Sequence, residues 1–234
     1  MGRTMLVINP DGGGELLLDE VEAENEKQLA GLMKTWPELL PWKELGMETP
    51  VVVGKDTALP SGMVDLVVLG RGGELALIEF KTGAAAPDSR AYMAQVIDHA
   101  SDLWDMTVDE FEEYVALRYF NSPSCPPVAP AYKAKSLADV LKSTWGTDPK
   151  DDVKGWQDRL DNQLRTGGFR FVSVSQKFTD PELRSMRYLN STVPNSQFYA
   201  VELIRFRATP SSGVNAFEAR LRQAPEDFTL PTES

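Results

Sequence analysis

Two short apolar runs separated by glycines constrain this chain most: Val64-Asp65-Leu66-Val67-Val68-Leu69 and Leu75-Ala76-Leu77-Ile78-Glu79-Phe80-Lys81, with Gly70, Gly72 and Gly73 between them. Aliphatic runs bounded by glycine read as strands joined by a turn, so the segment is a β-hairpin. A hairpin folds Asp65 back beside Glu79, although thirteen residues separate them. Residues two apart on a strand share a face, so Glu79 and Lys81 point one way and Phe80 the other. Two carboxylates and an ammonium on one side of a sheet suit a hard divalent cation with a lysine beside it.

The rest of the composition narrows the chemistry. His99 is the only histidine and Cys125 the only cysteine among 234 residues. A histidine-assisted serine nucleophile, a multi-histidine zinc site and a thiolate cage are thereby disfavoured, and no internal disulfide can form. Metal chemistry would run on carboxylates, which favours Mg²⁺ or Mn²⁺. No run of eighteen apolar residues spans a membrane, and the first ten residues lack the apolar stretch of a signal peptide, so a cytoplasmic protein is expected.

The net charge of −11 argues against a generic polyanion binder, but it is unevenly spread. Residues 1–115 carry 22 acidic and 8 basic side chains, and residues 116–234 carry 13 acidic and 16 basic. The acidity thus lies in the half with the candidate metal site. The mildly basic half is available for phosphate contacts, or is simply solvated charge.

Along the chain, residues 1–14 begin with a short strand and end in Gly12-Gly13-Gly14. Glu20 to Leu40 carries a helical pattern, with glutamates in its first turns, where the helix dipole favours them. A strand at Val51–Val53, the turn Pro60-Ser61-Gly62 and the hairpin follow. Helices are expected over 90–104, 108–120, 136–145, 154–164 and 181–189, and strands over 169–175 and 198–206. From Ala208 onward the chain is Pro/Ser-rich around a short Phe217–Leu221 segment and reads as a tail or linker. The expected organisation is an N-terminal segment (1–19), one domain (20–207) and a tail (208–234). The expected fold class is α/β (mixed α+β), a central mixed sheet flanked by helices.

Gly62-x-x-Asp65, Glu79-x-Lys81 and Gln95, in that order on elements of these types, resemble the PD-(D/E)XK nuclease superfamily, which has the restriction-endonuclease-like fold. The segment 26–40 looks like that group's first, glutamate-bearing helix. Residues 94–101 look like the helix after the Glu-x-Lys strand, and 179–202 like a closing β-α-β segment of bacterial members related to an archaeal mismatch-directed endonuclease. Two features depart from the pattern. His99 stands where the family often has tyrosine, and the first helix offers Glu20, Glu22, Glu24 and Glu26, with register favouring Glu26.

The resemblance implies Mg²⁺- or Mn²⁺-dependent hydrolysis of nucleic acid, with DNA as the expected partner, by an endonuclease of repair, restriction or phage defence. Asp65 and Glu79 would be direct metal ligands, and Glu26 would bind a second ion or its waters. Lys81 would orient or deprotonate water, and Gln95 would support it. Other readings stay open: a structural Asp–Lys or Glu–Lys pair, a solvent-facing Gln95, a first-turn Glu26 with no further role, and a packing role for His99. The alternative function is a catalytically inactive module of the same fold that acts through a protein partner. A third is a different metal-dependent hydrolase on an unrelated mixed sheet. With no recognition domain visible, specificity would come from a partner protein or a neighbouring domain; a homodimer or a partner protein is the expected assembly.

Overall fold

The glycine-linked hairpin forms as its pattern requires and sits inside a sheet of eight strands. In the computed structural model, the described residues are 2–8, 14–22, 26–80, 89–125, 136–146, 155–208 and 213–225, with the side chains of 26–29 and 89–93 excluded. The elements run β1 (Thr4–Ile8), β2 (Glu15–Val21), α1 (Glu26–Thr35), β3 (Val51–Leu59), β4 (Gly62–Leu69), β5 (Leu75–Phe80) and α2 (Ser89–Leu103). Next come α3 (Val108–Phe111), a π-helical turn (Glu112–Ala116), α4 (Leu117–Phe120), α5 (Leu137–Trp145), α6 (Gly155–Thr166), β6 (Arg170–Ser175), α7 (Asp180–Thr192), β7 (Gln197–Ala208) and β8 (Asn215–Gln223).

The strand order is β1-β2-β7-β6-β5-β4-β3, with β8 also on β7. β3, β4 and β5 form an antiparallel meander, and β5, β6 and β7 run parallel. Parallel neighbours need a crossover, and α7 supplies the one between β6 and β7. Its start is fixed by a capping box, in which Thr179 and Glu182 satisfy each other's backbone and side-chain groups. The fold is therefore mixed α/β, with a central mixed sheet flanked by helices.

Alternation along the strands splits the core in two. Leu66, Val68, Ala76, Ile78, Val172, Val174 and Val201 pack with Met33 of α1 and with Leu40, Leu45 and Met47. Val67, Leu69, Leu75, Leu77, Phe171 and Phe198 pack with residues of α2, α5, α6 and α7 on the other face. Phe80 packs with the first set, so it does point away from the face of Leu77.

Three elements differ from the sequence-based expectation. Residues 15–21, part of them assigned to the leading helix, form β2, because Val21 and Leu18 pair with Arg205 and Ala208 of β7. The helix itself covers only Glu26–Thr35 and gives way to a 3₁₀ turn at Pro37–Leu39, since proline cannot continue the hydrogen-bond ladder. The supposed tail contributes β8, pairing antiparallel with β7 from Asn215↔Arg207 to Gln223↔Ala200. There Phe217, Ala219 and Leu221 alternate onto the α1-side core.

Candidate functional site

The β4–β5 ladder stops one step short of the carboxylates. Its last paired residues at this end are Leu66 and Ile78, which leaves Asp65 and Glu79 as the next pair across. There the Asp65 side chain takes over from the ladder: its Oδ2 accepts the Phe80 N–H at 2.8 Å. The two strands part around a carboxylate, and both acids come together as the hairpin reading requires.

Glu79 is 5% exposed. Burial, then the neighbouring charge of Asp65 and a hydrogen bond between the two carboxyls, push its pKa up to about 9. Burial and the Asp65 charge thus both favour the protonated form of Glu79.

A lysine completes the cluster, and it comes from α1. Lys34 Nζ lies 2.5 Å from Asp65 Oδ1 and also binds Asp56 Oδ1. Burial alone would lower the Lys34 pKa, but its bonds to Asp56 and Asp65 outweigh that and raise it. Asp56 adopts a left-handed φ of 47° inside β3. The pairs Lys55↔Leu66 and Thr57↔Val64 bracket it directly opposite Asp65. Two carboxylates facing each other across a sheet repel, and the ammonium between them offsets that.

On the other side of the sheet, α2 brings in the single histidine. His99 is 1% exposed, with Nε2 at 3.5 Å from Glu79 Oε1 and at 3.3 Å from Gln95 Nε2. Its Nδ1 lies 2.8 Å from Ser61 Oγ, whose hydroxyl in turn donates to Asp102 Oδ2. Because the Ser61 proton is directed to Asp102, Ser61 accepts from His99 Nδ1–H, and Nε2 is left as an acceptor toward Gln95 and Glu79. Burial holds the His99 pKa below its usual value, against the opposing charges of Asp102, Asp98 and Asp65. Ser61 stands between histidine and aspartate, which is not the order in which an imidazole activates a serine nucleophile. The imidazole fits only because residue 62 is glycine: at φ 150°, a Cβ there would stand 2.9 Å from His99 Cε1.

Of the residues expected from sequence, Asp65 and Glu79 converge, and Gln95 joins them through His99. Lys81 and Glu24 lie outside the described residues, as does the side chain of Glu26, which opens α1. Glu20 is excluded from the leading helix: it lies on β2, where its Oε2 accepts the Arg3 N–H at 3.0 Å. Sequence reasoning missed Lys34 and Asp56. The only local signal was an acidic residue following Gly54-Lys55 inside a strand pattern.

The donor set fits a Mg²⁺ or Mn²⁺ ion of the kind that takes one or two carboxylates and keeps its waters. Asp65 and Glu79 would supply carboxylate oxygens to such an ion, and Lys34 already places positive charge against Asp65. Among the described residues, no three His, Cys, Asp or Glu side chains form a group able to hold an ion by themselves. No described helix is long and apolar enough to cross a membrane.

No protein-family model matches the chain, and no curated protein matches it. Among solved structures, it is similar to a chain from the EndoMS–dsDNA2 complex, at 12% identity and a TM-score of 0.32, over 86% of this chain. It spans 65% of the length of that chain.

Proposed function

We propose that this protein hydrolyses phosphodiester bonds of DNA with Mg²⁺ or Mn²⁺, as an endonuclease of repair, restriction or phage defence and a distant member of the PD-(D/E)XK group. The observation that carries the reading is the parted end of the β4–β5 hairpin. There Asp65 and the buried Glu79 stand side by side with Lys34 against Asp65, in the order and on the elements that such a site needs. A bound ion would neutralise charge on the phosphate and make water a better nucleophile.

The chain's own groups do the rest. Asp65 and Glu79 would hold the ion, and its binding would release the Glu79 proton to solvent. His99, held by Ser61, faces Glu79 Oε1 with Nε2 at 3.5 Å and accepts from the Glu79 carboxyl while that group keeps its proton. Lys34 keeps its charge and sits beside Asp65, where a phosphate oxygen would arrive. Lys81 would orient the attacking water, Glu26 would serve a second ion, and Gln95 steadies His99.

The test is nicking of a supercoiled plasmid with Mg²⁺, with Mn²⁺ and with EDTA, by the native protein, Glu79→Gln and Lys81→Ala. Cleavage that needs the metal and vanishes in both variants is the expected result. Cleavage that survives Glu79→Gln at the native rate would remove the carboxylate pair from the chemistry.

One observation favours a second reading, a non-catalytic module of the same fold. Lys34 already satisfies both Asp56 and Asp65, as a purely structural ion pair would. In that case no metal-dependent nicking occurs, and millimolar Mn²⁺ leaves the melting temperature unchanged.

A further inference from the structure

We infer that the face formed by α7 and β8 is a docking surface for the phosphate backbone of double-stranded DNA, about four phosphates along the strand from the cleavage point. This rests on the nuclease reading above, which supplies the cleavage point.

The register of the sheet locates the surface. Glu79 pairs with Ser173, Ser173 with Ala200, and Ala200 with Gln223. Residues paired in this way share a face, so the row runs from the acidic site to the end of β8 on one side of the sheet. Three strand spacings make that about 14 Å. B-DNA advances about 3.4 Å along its axis per phosphate of one strand, so about 14 Å is roughly four phosphates.

Arginines gather at the far end of this row. Arg187 of α7 reaches Gln223 Oε1 at 3.5 Å, which ties the helix face to β8. Arg184 and Arg187 are exposed, at the spacing that puts them on one side of a helix, and Tyr188 beside them is 65% exposed. On β8, Arg220 is exposed and pairs across to Glu202, on the same face as the row. Arg222 is held there by the nearly buried Glu202, at 3.2 Å.

Glu218 is the exposed acid on this face of β8, two residues before Arg220. Glu182 is committed to capping α7 through Thr179. Four guanidiniums so placed, on a chain of net charge −11, complement a polyanion that lies across the acidic end of the sheet. A guanidinium fork matches phosphate oxygens in pairs. The backbone contact supplies affinity and position, while the carboxylates at the other end of the row do the cutting.

The experiment is fluorescence anisotropy of a labelled 24-base-pair DNA duplex in EDTA, titrated at several salt concentrations. Native protein is compared with R184Q/R187Q/R220Q and with K43Q/R118Q/K142Q, which removes the same charge from exposed sites elsewhere. Circular dichroism melts check folding, and plasmid nicking runs in parallel. The α7–β8 variant should bind about 10–100-fold more weakly. Its salt slope should fall by about 2–3, at about 0.9 for each phosphate no longer neutralised, and the control should bind like the native protein.

Equal weakening in the control, or an unchanged salt slope in the α7–β8 variant, overturns the assignment. So does tighter native binding of an RNA duplex of the same sequence. If all proteins bind as expected but none nicks, the surface stands and the catalytic reading fails. If the α7–β8 variant binds and nicks like the native protein, the surface fails and the catalytic reading stands.

Discussion

Lys34 and Asp65 are joined across two layers of the fold: Nζ of the helix residue lies 2.5 Å from Oδ1 of the strand residue, and the same ammonium holds Asp56 on the neighbouring strand. Removing it leaves two opposed carboxylates with Glu79 behind them. Lys34→Met, which keeps the apolar stem, should cost about 1–3 kcal/mol, the range for breaking a charged hydrogen bond in a partly buried site. Millimolar Mn²⁺ should recover part of that stability by binding the folded state only. Thermal melts of native and variant protein with and without Mn²⁺ measure both effects. A variant as stable as the native protein would mean the ammonium is a bystander.

The Glu79 carboxyl gives stability a pH dependence of defined sign. Its pKa is pushed up to about 9 in the folded protein from an ordinary value near 4.5. Between those values the folded chain binds a proton that the unfolded chain releases, so stability falls as pH rises from about 4.5 to about 9. In Glu79→Gln that component is absent. Urea unfolding at pH 5, 7 and 9 should show the gap between variant and native protein shifting in the variant's favour with rising pH. A constant gap would place Glu79 in contact with water.

The lone histidine makes its own state readable. Nitrogen-15 spectra of the imidazole should show the Nδ1–H tautomer at neutral pH, with protonation only below the usual value near 6.5, because burial disfavours the cation. This depressed pKa means that stability from the neutral ring is lost as pH falls below that value. Ser61→Ala removes the acceptor at 2.8 Å and should free the tautomer. Cleavage should then slow by about tenfold, which corresponds to about 1.4 kcal/mol, without being abolished. A ring already protonated at pH 7 would contradict the hydrogen-bond order from Asp102 to Glu79.

Gly62→Ala should be destabilising by about 1–3 kcal/mol. The new methyl meets the His99 ring at 2.9 Å, at a φ of 150° that L-residues rarely adopt. Paired with His99→Ala, which opens space for the methyl, the two changes should cost less than their sum. A double-mutant cycle read by denaturant midpoint tests this. Strict additivity would leave the backbone angle as the whole cause.

The parts of the site that were legible in the sequence are those whose cause is local. Gly70, Gly72 and Gly73 between apolar runs dictate the hairpin, and the hairpin dictates that Asp65 meets Glu79. Lys34 was not legible, because a lysine in a helix looks solvent-facing until the fold brings Asp56, 22 residues away, and Asp65 to it. Asp56 was hidden for the same reason, its left-handed φ being a product of the strand irregularity around it. β2 was misread because the glutamates at 20 and 22 look like a helix's first turn, whereas β7 decides that segment's conformation. β8 did carry a period-two signal, Phe217, Ala219 and Leu221 against Glu218, Arg220 and Arg222. The Pro/Ser-rich residues on either side outweighed it.

The pairing of β7 has a consequence for how the protein comes into being. β3, β4 and β5 are contiguous in the chain and close short loops, whereas Leu18 waits for Ala208 and Gln223 for Ala200 before their ladders can exist. Short closures are fast, and distant ones wait on an entropic search. During synthesis the acidic hairpin can therefore assemble while β7 and β8 are still unmade. If the nuclease and docking proposals hold, the nascent chain would carry the Asp65–Glu79 pair before the arginine face of α7 and β8, and would engage nucleic acid fully only once β8 is in place.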